Sequence, residues 1–219
     1  MTANVDDPTI VVFDVNVYLD VAELLGPPFS WASLQHKMAQ VAGYVVPWVE
    51  DERVDSLKAI AYSSRGHVIP GEPLEVWSSD HVDDMVFWKA TQAPNPSDPD
   101  DGGLGWSDAD ATTLLEHLVR DLVYDKTNGG GIPVTKPHGW TAVSHEDGQV
   151  FETAYRAGDF EASPRICVTR DNDFREANPY LSARVDVMYP WEFVQYLQKA
   201  SRPPPDRHPA ALMRRNRGK

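Results

Sequence analysis

The chain has a single cysteine, Cys167. That excludes a disulfide framework within the chain and a cysteine-rich zinc site. Cys167 lies in the apolar run Arg165-Ile166-Cys167-Val168, where it reads as a small buried hydrophobe. No uninterrupted apolar run approaches the ~20 residues that a membrane-spanning helix needs. The opening MTANVDDPTI carries acids where a signal peptide carries positive charge, so the expectation is a soluble, cytoplasmic protein with no membrane partner. None of the seven histidines falls at a His-x-x-x-His spacing. The glycines of 102–105 and 129–131 lack the strand-then-helix setting of a phosphate loop.

Positive charge is scarce. Against 33 Asp and Glu there are 20 Lys and Arg, a formal net charge of −13. This argues against nonspecific nucleic-acid binding through a basic surface. It does not argue against a nuclease whose acids recruit a divalent cation, because the cation then faces the phosphate. The basic residues gather in a Pro-rich tail, 201–219, whose net +5 leaves the rest of the chain at −18. Such a tail reads as a solvated end, with contact to RNA or a partner as the minority alternative.

What is present is an alternation of apolar strands and helices. Thr9-Ile10-Val11-Val12-Phe13 is a continuous β-branched run, as expected of a strand buried on both faces of a parallel sheet. It passes through Asp14-Val15-Asn16 into a helical pattern ended by Gly26-Pro27-Pro28. Helical stretches follow around Ser30–Ala42 and Asp51–Ser64. Leu74–Trp77 reads as a second strand, and Ser79 starts a helix to about Thr91. A Pro-, Asp- and Gly-rich loop from about 93 to 105 leads to a helix from Trp106 to about Asp125. A second loose stretch spans 127–139. Asp147, Val150 and Ala154 lie along a helix that ends near Gly158. Ile166–Thr169 and Val185–Met188 are further strands, and Pro190 opens a closing helix. The alternation predicts an α/β, three-layer α/β/α sandwich with a mainly parallel central sheet.

In such sheets ligands bind beyond the carboxyl ends of the strands. Asp14 and Asp171 each follow a strand and share one edge of the sheet if the two strands are neighbours. Phosphodiester hydrolysis needs an activated water, neutralised phosphate charge and a stabilised leaving oxygen. One or two Mg²⁺ or Mn²⁺ ions held by clustered carboxylates supply all three.

The motifs resemble those of PIN domains. Phe13-Asp14-Val15-Asn16-Val17 is similar to their opening strand with Asp-x-Asn. Val168-Thr169-Arg170-Asp171-Asn172-Asp173-Phe174 is similar to their late Thr-x-Asp-x-Asp-Phe. Glu146-Asp147 with Val150 and Ala154 resembles the helix carrying the central acid, and the 185–193 segment resembles the closing strand and helix. The resemblance implies a single PIN-like domain over 1–200, with an insertion at about 93–139. It implies a Mg²⁺- or Mn²⁺-dependent ribonuclease acting on RNA, and a toxin with an antitoxin protein and a homodimeric assembly. It further implies metal ligands at Asp14, Asp147 and Asp171, with Asp173 a supporting acid, Asn16 orienting Asp14, and Thr169 a neighbouring hydroxyl. A further acid is expected on the helix after the second strand. Asp84 is favoured, with Asp83 next and Asp80 also available, although no glutamate stands there.

Plainer readings exist for each acid. Asp14, Asp83, Asp84 and Asp147 fit helix starts, where acids cap and offset the dipole. Asp171 and Asp173 fit a local turn, and Asp108 and Asp110 fit a helix start better than a metal site. A PIN domain without activity, serving as a binding module, is the second reading. A phosphotransferase using Asp14 as nucleophile ranks third, because Asn16 stands where a carboxylic acid is needed to donate a proton.

Overall fold

The structure, a computed structural model, describes residues 7–43, 51–69, 71–97, 102–133, 139–158 and 162–200. The basic tail and the acidic 98–101 stretch lie outside the described residues.

Strand β1 (Thr9–Phe13) is buried along its whole length, as its unbroken apolar run requires. It lies at the centre of the sheet. On one side it pairs in parallel with β3 (Glu72–Ser79), and on the other with β5 (Arg165–Val168). β6 (Asp186–Met188) extends the sheet in parallel beyond β5. The outer side of β3 is shared. β2 (His67–Ile69) pairs antiparallel with its start, and the two-residue β4 (Gly131–Ile132) pairs in parallel with its end. Between them the N–H of Val76 donates to Thr127 Oγ1 at 2.9 Å, so a side chain continues the ladder. The sheet is therefore mixed and mostly parallel.

The helices are α1 (Val15–Leu25), α2 (Trp31–Gly43), α3 (Glu52–Ser63), α4 (Asp80–Thr91), α5 (Asp108–Leu114), α6 (His145–Arg156), α7 (Asn172–Ala177) and α8 (Pro190–Ala200). α5 runs on without a break as a wider π-helical segment, Leu115–Lys126. No described helix is long and apolar enough to cross a membrane.

Capping residues account for many of the boundaries. Asp14, Asp51, Ser79, Ser107, Ser144 and Asp171 each accept a backbone N–H at a helix start. Gly26 closes α1 at φ +69°, the left-handed conformation glycine adopts without a Cβ penalty. The helical segment between the two loose stretches is no surface appendage. Its Leu114, Leu118, Val119 and Leu122 are fully buried in the same hydrophobic core as β1. Cys167 is buried in β5, as its apolar surroundings predict. β2, β4 and α7 are additions to the elements legible in the sequence.

Candidate active site

Because β1 and β5 are neighbours, their carboxyl ends meet. Asp14 N donates to Val168 O at 2.9 Å, and Thr169 N donates to Met188 O at 3.0 Å, so three strand ends lie in register. Asp14 is nearly buried, with 6% of its surface exposed. One oxygen, Oδ1, accepts the Val15 N–H at 2.6 Å. The other, Oδ2, accepts from Asn16 Nδ2 at 2.6 Å and from Thr169 Oγ1 at 2.6 Å. The Thr169 hydroxyl in turn accepts the Asp171 N–H at 2.9 Å. Asn16 Oδ1 accepts the Arg170 N–H at 3.2 Å. Asn16 and Thr169 thus tie the Asp14 carboxylate to the turn that carries Asp171.

The electrostatics set Asp14 apart. Its pKa is pushed from 3.8 up to about 6, chiefly by burial, and the negative charges of Asp147 and Asp171 add to the rise. The hydrogen bonds from Thr169 and Val15 oppose it. Asp147, half-buried in the first turn of α6, also has its pKa raised, by burial and then by the charges of Asp171 and Glu146. Its hydrogen bonds with Ser144 work the other way. The charges of Asp147 and Asp171 thus reach Asp14, and that of Asp171 reaches Asp147, at the carboxyl end of the sheet. The capping readings hold: Asp14 starts α1, Asp171 starts α7, and Asp147 closes a reciprocal cap with Ser144.

The remaining expected acids are placed differently. Asp173 is exposed, and its N–H donates to Asp171 Oδ1 at 2.7 Å. Asp84 is exposed on α4, off the arc formed by the buried Val82, Val86 and Ala90. Asp83, three residues before Val86, turns toward the sheet instead. It accepts from Ser78 Oγ at 2.7 Å and pairs with Arg120 at 3.5 Å. Burial raises its pKa, and those two partners partly offset the rise. The sequence preference for Asp84 over Asp83 thus runs opposite to the burial pattern of the helix.

Asp14, Asp147 and Asp171 offer carboxylate oxygens, the donor type that hard cations prefer. An ionised carboxylate offers about four acceptor positions, and Asp14 uses three on its own chain, leaving about one. Among the described residues, no three carboxylate, imidazole or thiol groups stand close enough to grip an ion between them. A binding mode in which the ion keeps several waters and takes one or two carboxylates directly, as is usual for Mg²⁺, agrees with that absence. A closed all-protein cage does not.

Sequence reasoning missed a second buried acid. Asp20 on α1 is 5% exposed. It accepts from Ser56 Oγ at 2.5 Å and forms an ion pair with the Arg170 guanidinium. Its pKa is pushed up to about 6 by burial, which outweighs Ser56 and Arg170. Asp20 therefore anchors the side chain of the residue next to Asp171. The available signal was its spacing: Asp20 falls between Val17 and Val21 on the apolar arc of α1, where an acid needs a partner.

No protein-family model, no curated protein and no solved structure matches this chain.

Proposed function

We propose that this protein is a PIN-like, divalent-metal-dependent endoribonuclease, with Asp14, Asp147 and Asp171 as its acidic centre. One observation carries the proposal. Asp14 is held in the interior at the end of the central parallel strand, hydrogen-bonded through Thr169 and Asn16 to the Asp171 turn, while Asp147 and Asp171 press on its charge. Burying a carboxylate among like charges costs stability, so its presence in a cleft points to a functional site. A mostly parallel sheet with acids at its carboxyl edge supports the finer reading of a PIN-like three-layer sandwich.

In this reading Asp14, Asp147 and Asp171 hold Mg²⁺ or Mn²⁺, which when bound supplies charge neutralisation at the phosphate and an acidified water. Asn16 and Thr169 fix the Asp14 carboxylate, so that one oxygen position remains for a ligand. Asp83 is the acid of α4 best turned toward the strand ends. A toxin role with an antitoxin partner, a homodimer and a cytoplasmic location complete the proposal.

The test is cleavage of single-stranded RNA with Mn²⁺. EDTA abolishes it, and Asp14→Asn abolishes it while the protein keeps its circular dichroism spectrum. Robust cleavage in EDTA overturns the metal-dependent mechanism. A second reading, a binding module without nuclease activity, draws on the absence of a tight three-ligand group among the described residues. Calorimetric titration with Mn²⁺ separates the two: no binding into the millimolar range favours the module.

A further inference from the structure

A cavity of about 210 Å³ opens beside Asp171. Glu52 and Asp55 of α3 form one wall, Arg170 and Asn172 flank Asp171, and Tyr189 and Trp191 close it from the β6–α8 junction. The volume is below the roughly 300 Å³ at which drug-sized sites begin, which leaves room for one planar ring system. Trp191 is 44% exposed, a large apolar side chain left outside the core at the start of α8. One face of Tyr189 is covered by the Arg175 guanidinium, 4.3 Å from the ring centroid, and its hydroxyl donates to Asn172.

The polar groups of the cavity select the occupant. Glu52 presents its carboxylate with 79% of the side chain exposed, and stands 3.7 Å from Arg170 Nε. That Nε is buried out of reach of an occupant, but the guanidinium, ion-paired with Asp20 through Nη1, leaves the side chain 32% exposed. Asp55 is already paired with Lys58 at 3.0 Å. A phosphate is disfavoured between two carboxylates. A neutral flat heterocycle with adjacent N–H donors is favoured, because a carboxylate accepts two such donors at once and an exposed indole stacks on any base. Guanine is the nucleobase whose edge offers adjacent ring N–H and amino donors together with an acceptor for a guanidinium.

We propose that this cavity is a nucleobase subsite that takes a guanine of single-stranded RNA, stacked on Trp191 and read by Glu52 and Arg170. The inference rests on the ribonuclease reading for its place beside the acidic centre. Its test is binding without chemistry. The wild-type protein in EDTA and low salt is titrated, by fluorescence anisotropy, into labelled oligouridine with and without one central guanosine. The guanosine oligomer binds about 5-fold or more tighter. Trp191→Ala and Glu52→Gln each erase the difference, and Trp191→Phe retains it. Equal binding of the two oligomers to the wild type overturns the subsite, as does a preference that survives Trp191→Ala. Cleavage assays with Mn²⁺ keep the two ideas apart. Cleavage of both oligomers without preference sinks the subsite and leaves the ribonuclease. A guanosine preference in EDTA with no cleavage of any RNA sinks the ribonuclease and leaves the subsite.

Discussion

Thr169 has no exposed surface, and its hydroxyl serves Asp14, Asn16 and Asp171 together. Thr169→Val preserves shape and removes that hydroxyl. The Asp171 N–H then loses its acceptor, and Asp14 Oδ2 loses one donor. The expected cost is about 1–3 kcal/mol, read from urea unfolding, with Thr169→Ser recovering most of it. Because the Thr169 hydrogen bond lowers the pKa of Asp14, the valine variant is also expected to move the acid limb of the proposed RNA cleavage to higher pH. Linkage gives a second expectation. Asp14 titrates near 6 in the folded protein and near 3.8 otherwise. Between about pH 4 and 6 the folded state keeps this proton while the unfolded chain has released it, so stability falls as pH rises through that window. Asp14→Asn removes the contribution. In EDTA, the stability of the wild type minus that of the variant should therefore fall between pH 4 and 7, by at most about 3 kcal/mol. A difference that stays flat with pH would show that Asp14 ionises normally. At this scale Asp14 and Asp171 were singled out because each directly follows an apolar strand, whereas Asn16 and Thr169 came only from the resemblance to PIN motifs. Asp20 was not, since its partners Ser56 and Arg170 are 36 and 150 residues away.

Among the elements, the junction after the π-helical segment runs close against the sheet. The Gly129 N–H donates to Val123 O at 2.8 Å, and a Cβ at this position would stand 1.8 Å from Val76 O. Gly129→Ala must therefore push the loop off β3, at a cost of about 2 kcal/mol or more. Gly139→Ala, where a Cβ meets nothing within 4 Å, should stay within about 0.5 kcal/mol. Thermal unfolding of the two variants side by side checks both values, and equal midpoints would mean the close approach does not exist. The long helices were readable from their apolar spacing and caps. β2 and β4 were not, because strands of three and two residues are too short to display a period. The choice between Asp83 and Asp84 also belongs here. The arc of α4 that packs inward, through Val82, Val86 and Ala90, places Asp83 beside it and Asp84 away from it.

For the molecule as a whole, the formal charge of −13 favours the divalent cation of the proposed function, because its binding relieves repulsion and so lowers its Kd. At a Mn²⁺ concentration a hundredfold above its Kd, mass action alone adds about 2.7 kcal/mol. For a chain of this size that is about 5–10 °C in Tm. Differential scanning fluorimetry should record such a rise for the wild type and little for Asp14→Asn. An equal rise in both would place the ion away from Asp14.

The sequence by itself determined the α/β alternation, the buried central strand, most helix boundaries and the acids that follow β1 and β5. These depend on neighbours a few residues apart, through side-chain periodicity and capping. Only the tertiary structure decided that β1 and β5 are adjacent, that Asp147 on α6 is near enough to raise the pKa of Asp14, and that Asp20 holds Arg170. Those outcomes come from strand pairing and helix packing between segments more than a hundred residues apart. Burial then converts an ordinary carboxylate into one that titrates near 6, because the charge of Asp14 is felt in the interior and not in water.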